Sequence, residues 1–386
     1  MTEPSHHLYV HVPFCRLVCA YCDFVTVGGR GRDIERYVGA LISEVSLRPA
    51  PGTLRTVYFG GGTPSLLNAG QVDRLLAAAQ AQWTNAVLDE VTLEANPSER
   101  ERPDWSALRA AGVTRVSLGV QSLDDRDLRA LARGHEAREA REAYDEVRRA
   151  GFENVSIDLI YGIPGQDRSR WAQVLRWAIE LAPDHLSLYA LQLALAPDEW
   201  AAPPRRGALR WRRRIADEQD DGLAAEQYRL AEDVLGAAGF EHYELSSWAR
   251  PDRESRHNGA YWARRAYTGI GAGAHSYDGA RERSWNTRDL DDYLARAESG
   301  ERPLDDREEL DESTRAFEAL ALGMRRVAGV RRGDFAAEFG ADPIERFAGA
   351  VQTGIERGLL EVTDEVLRLT RSGRLFANDA LEPFAP

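Results

Sequence analysis

Residues 8–24 read Leu8-Tyr9-Val10-His11-Val12-Pro13-Phe14-Cys15-Arg16-Leu17-Val18-Cys19-Ala20-Tyr21-Cys22-Asp23-Phe24. The first five residues form a short apolar β-rich run, and three cysteines follow at C-x3-C-x2-C spacing. They are the only cysteines among 386 residues. An odd, tightly clustered set is a poor disulfide framework and reads as a metal or redox site. A ligand-bearing loop directly after a strand belongs at the carboxyl end of that strand, where parallel α/β folds bind their ligands.

The rest of the chain repeats the arrangement. Candidate strands lie at residues 8–12, 55–59, 90–95, 115–119, 155–161 and 186–191. Between them, residues 34–47, 71–80, 136–150 and 170–181 carry apolar residues three and four apart, which predicts helices. Strands alternating with helices imply a parallel sheet. Six such units fall short of the eight of a closed barrel, so the fold expected is α/β, an incomplete (β/α)6 barrel, with an open doubly wound sheet as the alternative. Gly60-Gly61-Gly62-Thr63-Pro64, Asn96-Pro97, Gln121-Ser122 and Gly162-Ile163-Pro164-Gly165 follow the second to fifth strands. These polar and glycine-rich turns would share one face with the cysteine loop.

Residues 1–240 read as the partial barrel, 241–302 as an extension and 303–386 as a small winged-helix-like α+β unit, with helices followed by a hairpin. Residues 197–214 read as an irregular loop and 289–309 as a polar boundary. The last unit holds 11 arginines against 17 acids, the wrong sign for gripping DNA. The whole chain carries a net charge of −13 and has no lysine. No nucleic-acid partner is therefore expected, and a lysine Schiff base or phosphate-loop lysine is excluded. No apolar run approaches the roughly 18 residues of a membrane span, and no secretory signal is read at the N-terminus, so the expected location is the cytoplasm.

Three thiolates from one loop suit an iron–sulfur cube, which normally takes four. One iron is left open, and the amino and carboxylate groups of S-adenosylmethionine can chelate it. An electron from the cube could then cleave the sulfonium. A zinc site with His11 or Asp23 as fourth ligand, and three buried cysteines on one helix face, are the alternatives.

The C-x3-C-x2-C signature, with an aromatic before the third cysteine, resembles the radical S-adenosylmethionine superfamily. Tyr9 to Cys15, Gly60 to Pro64, Gly119-Val120-Gln121-Ser122 and Asp158 to Pro164 are similar to the oxygen-independent coproporphyrinogen III oxidase group. That group has a further cysteine two positions after the third, where this chain has Phe24. Cys22-Asp23-Phe24 and His257-Asn258-Gly259-Ala260-Tyr261-Trp262 instead resemble the heme chaperone HemW family.

The resemblance implies a [4Fe–4S] cluster on Cys15, Cys19 and Cys22. It implies that Tyr9, Tyr21, Gly61, Gly62, Thr63, Glu94, Gln121, Arg133 and Asp158 contact S-adenosylmethionine. Arg133 is suited to pair with the cofactor carboxylate, and valine at Gly61 is expected to weaken cofactor binding without losing the cluster. His257, beside Tyr261, Trp262 and several arginines, is the candidate heme ligand; His275 is assigned to the adenosyl pocket. Heme, heme-accepting proteins and an electron donor are the implied partners. Two other functions compete with heme delivery: radical decarboxylation of coproporphyrinogen III, and a zinc-stabilised binding module. The arginine-rich stretch 205–214 reads as a solvated face, with docking on an acidic partner or membrane surface as the alternative.

Overall fold

The computed structural model describes residues 4–193 and 207–386. Six strands, β1 (Ser5–Val12), β2 (Thr53–Gly61), β3 (Glu90–Ala95), β4 (Arg115–Gln121), β5 (Val155–Tyr161) and β6 (His185–Ala190), lie side by side in chain order, all parallel. They are the six strands expected from the sequence. The helices Ile34–Ser46, Ala69–Gln82, Ala137–Arg149 and Arg168–Glu180 lie in their crossovers. Strands covered on both faces read as nearly continuous apolar runs. In β3 every residue is buried except Glu94, and in β5 every residue except Asp158. Glu90, Thr92 and Ser156 are polar and buried, so Glu94 and Asp158 are the acidic interruptions left accessible.

The sheet continues past these six. It has 12 strands among the described residues. At one edge β8 (Ser247–Ala249) adds antiparallel to β6, and β7 (Glu241–Glu244) pairs antiparallel with β8 as the outermost strand. At the other, β9 (Tyr267–Ile270) runs parallel to β1. It is followed outward by the antiparallel strands β10 (His275–Tyr277), β11 (Glu282–Asn286) and β12 (Leu304–Glu309). The two end strands do not pair with each other, so the (β/α)6 barrel stays incomplete.

Two expectations are corrected. Residues 289–309 are not a polar boundary: they form the helix Leu290–Glu298 and the strand β12. Leu290, Tyr293, Leu294 and Ala297 make its buried stripe, at the spacing of a core-facing helix. The surrounding acids hide that stripe in the sequence, and Asp289 caps the helix by accepting from the Asp291 and Asp292 backbone N–H groups. Residues 197–214 are not an irregular loop throughout, because the helix Ala208–Glu218 occupies their second part; residues 197–206 lie outside the described residues. Arginine is a good helix former, so a run of arginines is no reason for a loop.

The C-terminal unit has its own core, including Leu320, Met324, Phe335, Leu367 and Phe384. The helices Glu312–Gly323, Arg332–Phe339 and Ala348–Glu356 pack with a small antiparallel sheet of Val330–Arg331, Val366–Leu369 and Leu360–Val362. This is the winged-helix-like arrangement. Strand β12, beyond residue 303, still pairs with the large sheet. Among the described residues no helix is long and apolar enough to cross a membrane.

Candidate functional site

The cysteine loop leaves β1 through Pro13. Phe14–Cys15 and Val27–Gly28 pair as short parallel strands, which close the loop at its base. The Cys22 backbone N–H donates to the Cys19 carbonyl at 3.2 Å. The three cysteines therefore sit on a loop and not on one helix face. All three are partly buried and line one cavity of about 320 Å³. Burial pushes the Cys15 thiol up to about 12 and the Cys22 thiol up to about 11; ligand binding to metal would displace these protons.

The proposed fourth zinc ligands are engaged elsewhere. The His11 ring meets the Val25 carbonyl through Nε2 at 2.8 Å and the Tyr9 hydroxyl through Nδ1 at 3.1 Å. Asp23 pairs with Arg212 at 2.6 Å. Among the described residues no three Cys, His, Asp or Glu side chains converge on a single metal position. A cube spreads its thiolates over separate irons, and the cysteine loop fits that better than one ion.

The strand ends supply much of the rest of the cavity: Gly61 at the end of β2 with Gly62 and Thr63 just after it, Glu94 in β3, Gln121 in β4 and Asp158 in β5. Thr63 donates to Cys15 Sγ at 3.6 Å. Glu94 accepts from the Tyr58 hydroxyl at 2.8 Å and from the Gly61 N–H at 3.1 Å. Desolvation raises the Glu94 carboxyl to about 7, opposed by the Tyr58 hydrogen bond and reinforced by nearby Asp158. Asp158 accepts from Ser117 at 3.0 Å and is likewise raised by burial. Neither carboxylate has an ion-pair partner among the described residues, and a cationic ligand would supply one. Gln121 takes a positive φ of 65°, a conformation uncommon for a residue with a side chain.

Arg133 and Tyr21 complete that wall. The Arg133 guanidinium donates to Cys19 Sγ at 3.0 Å, to the Tyr21 hydroxyl at 3.2 Å and to the Gly119 carbonyl at 2.9 Å. It is anchored to the cysteine loop itself. Of the positions expected to contact S-adenosylmethionine, Tyr9 alone lies outside this cavity; it lines the two neighbouring ones.

Arg212 is the residue that sequence reasoning misread. The stretch 205–214 was expected to be a solvated face, yet Arg212 is buried. Its Nε donates to the Ala20 carbonyl at 2.8 Å and its Nη2 to the Cys22 carbonyl at 2.7 Å. Together with the Asp23 pair, these bonds fasten the cysteine loop to the helix Ala208–Glu218. A buried arginine on a helix otherwise rich in exposed ones leaves one sequence trace: position 212 lies three residues before Ile215, on the same buried stripe.

The His257-to-Trp262 segment forms the helix Arg256–Trp262, capped by Ser255 accepting from the Asn258 N–H. It walls a cavity of about 410 Å³, separate from the cysteine loop. His257 is fully buried: Nδ1 meets the Thr56 hydroxyl at 2.7 Å, Nε2 meets the Tyr261 hydroxyl at 2.8 Å, and the ring stacks on Tyr58. Trp262 Nε1 donates to Glu244. His275 lies outside the cysteine-lined cavity. It faces a third one, of about 460 Å³, which Phe24 joins to the first.

The profile of the Radical SAM superfamily matches residues 9–178, and that of the HemN C-terminal domain matches residues 310–376. The chain is 34% identical to the heme chaperone HemW of Lactococcus lactis subsp. lactis, over 100% of this chain and 98% of that protein. It is 38% identical to the heme chaperone HemW of Mycobacterium tuberculosis (strain H37Rv), over 96% of this chain and 92% of that protein. Among solved structures, the coproporphyrinogen III oxidase (HemN) from Escherichia coli, a radical SAM enzyme, superposes with a TM-score of 0.81. That match covers 99% of this chain and 90% of the other at 24% identity, which shows a common fold.

Proposed function

We propose, from the premise that this chain belongs to the heme chaperone HemW family of radical S-adenosylmethionine proteins, that it binds heme and passes it to acceptor proteins. The observation that carries this reading is likeness over nearly the full length to proteins named heme chaperones. The oxidase shares the fold at lower identity. The position of the oxidase group's extra cysteine holds Phe24, an exposed aromatic side chain without a thiol.

The family implies a [4Fe–4S] cluster and S-adenosylmethionine, which when bound supply one-electron chemistry. The chain's own residues have definable tasks. Cys15, Cys19 and Cys22 hold the cluster, and Arg133 and Arg212 hold their loop in place. Glu94 and Asp158 take the cationic end of the cofactor, and Tyr21, Gly61, Gly62, Thr63 and Gln121 shape its bed. Delivery to respiratory or cytoplasmic acceptors, an external electron donor and a cytoplasmic location complete the reading. The exposed Arg213 and Arg214 suit peripheral contact with an acidic partner or membrane.

The experiment is anaerobic cluster reconstitution followed by parallel assays of hemin binding and of carbon dioxide release from coproporphyrinogen III. Stoichiometric heme binding without decarboxylation is expected. Robust decarboxylation with no measurable heme affinity would restore the oxidase.

A further inference from the structure

We infer that heme sits in the cavity beyond Phe24, with His275 as the axial ligand of its iron and Arg288 as the partner of a propionate. The inference rests on the heme-binding reading above and names where and how that binding occurs. The cavity measures about 460 Å³ and is walled by Phe24, Tyr261, Trp262, Tyr267 and Tyr277. Flat aromatic faces around a chamber of this size suit a planar macrocycle.

Iron ligation requires a neutral imidazole with an available nitrogen. The chain has eight histidines. Seven engage a ring nitrogen with a hydroxyl, a carbonyl or both: His6, His7, His11, His135, His185, His242 and His257. Among the described residues, His275 alone has no hydrogen bond through its ring. His275 is exposed at the cavity wall, and partial desolvation, with Arg288 and Arg283 nearby, lowers its pKa.

The ligand is also held in place. The His275 ring stacks on Trp285 with centroids 5.7 Å apart. The turn before it is pinned by the Gly271 N–H donating to Glu44 at 2.9 Å and the Ala272 N–H donating to the Tyr37 hydroxyl at 2.9 Å. Stacking and the pinned turn set the position of the ring.

The cations of this cavity are not equivalent. Arg283 is paired with Glu308 at 2.8 Å and Glu318 at 2.9 Å, and Arg264 with Glu338 at 3.0 Å. Arg288 is exposed and has no acidic partner among the described residues, so its charge is available to a carboxylate. His257, with both nitrogens engaged, orients Tyr261 in the wall; it is a positioning residue for this cavity.

The test titrates hemin into the full-length, cluster-loaded protein. It reads the Soret band in difference spectra and the ferric electron paramagnetic resonance signal. His275→Ala should lose the wild-type Soret position and resonance signature and bind about tenfold more weakly or worse, with unchanged circular dichroism and iron content. Added imidazole should restore the Soret position. Arg288→Glu should weaken affinity about tenfold with the Soret position kept. His257→Asn should keep the ligand signature. A wild type that binds heme, with His275→Ala indistinguishable from it, would overturn the assignment and leave heme binding standing. Loss of the ligand signature in His257→Asn with its retention in His275→Ala would do the same. A wild type that binds no heme would overturn both.

Discussion

A Cβ added at Gly61 would stand 2.5 Å from His11 Cε1, and one at Gly62 would stand 2.7 Å from the Pro13 carbonyl. Gly61 also has a φ of 113°, which favours glycine. The sequence reading has these glycines making room for a cofactor. In the structure they make room first for the protein's own β1 end, which runs on into Cys15. Gly61→Val should therefore lower iron and sulfide content together with cofactor affinity, as chemical analysis of the reconstituted variant would register. Cluster content equal to wild type would return the glycine to the role first read for it. Glu94 gives a second residue-level prediction. Its folded pKa of about 7 lies above the ordinary 4.5, so the fold favours the protonated acid. Stability from this group is lost as pH rises from 4.5 through about 7. Glu94→Gln should match wild type in acid and exceed it above neutrality by up to about 3 kcal/mol, measured by urea unfolding. Cofactor affinity should rise with pH in wild type as the carboxylate forms, and lose that rise in Glu94→Gln.

At the scale of an element, the helix Ala208–Glu218 acts as a clamp on the cysteine loop. Removing Arg212 takes a donor from the buried Ala20 carbonyl, the partly buried Cys22 carbonyl and the Asp23 carboxylate at once. Breaking a buried, charge-assisted set costs about 3 kcal/mol. Arg212→Ala should lose its cluster to a chelator faster than wild type, whereas Arg213→Ala, one position along and exposed, should not. Bleaching of the cluster absorbance measures both; equal rates would remove the clamp. The cysteines of the loop are a simpler case. Alanine at any one leaves two thiolates, too few to hold a cube with one iron still open, and cluster content should collapse in all three variants.

Over the whole molecule, histidine burial sets the response to acid. Burial lowers His6, His7 and His11 to about 4, His135 to about 3, and His185 and His257 well below the ordinary value. The unfolded chain takes up these protons at 6.5, so stability present above that pH is lost as it falls towards 4. The urea midpoint of the cluster-free protein should fall steadily across this interval. A flat midpoint would mean that the histidines charge without unfolding. The two cores are tied together as well. The Leu245 N–H donates to the Arg325 carbonyl at 2.9 Å, and Arg371 and Arg374 both pair with Glu232.

The sequence by itself determined the six parallel strands, the cysteine loop and most of the lining of the cysteine-lined cavity. Strands buried on both faces must be written as apolar runs, and a polar residue that interrupts one, such as Glu94 or Asp158, is conspicuous. Ligand spacing is likewise local: Cys15, Cys19 and Cys22 need no distant partner to be recognised. The tertiary structure alone decided which arginines and histidines were available. Arg212 and Arg213 are adjacent in the chain, yet one grips carbonyls roughly 190 residues away and the other faces water. His257 sits in a legible motif but spends both nitrogens on Thr56 and Tyr261, whereas His275, at the head of β10 after a plain glycine–alanine turn, keeps its ring free of hydrogen bonds. Whether a polar group is available depends on what packs against it from remote parts of the chain. Burial and hydrogen-bond satisfaction are properties of the assembled interior.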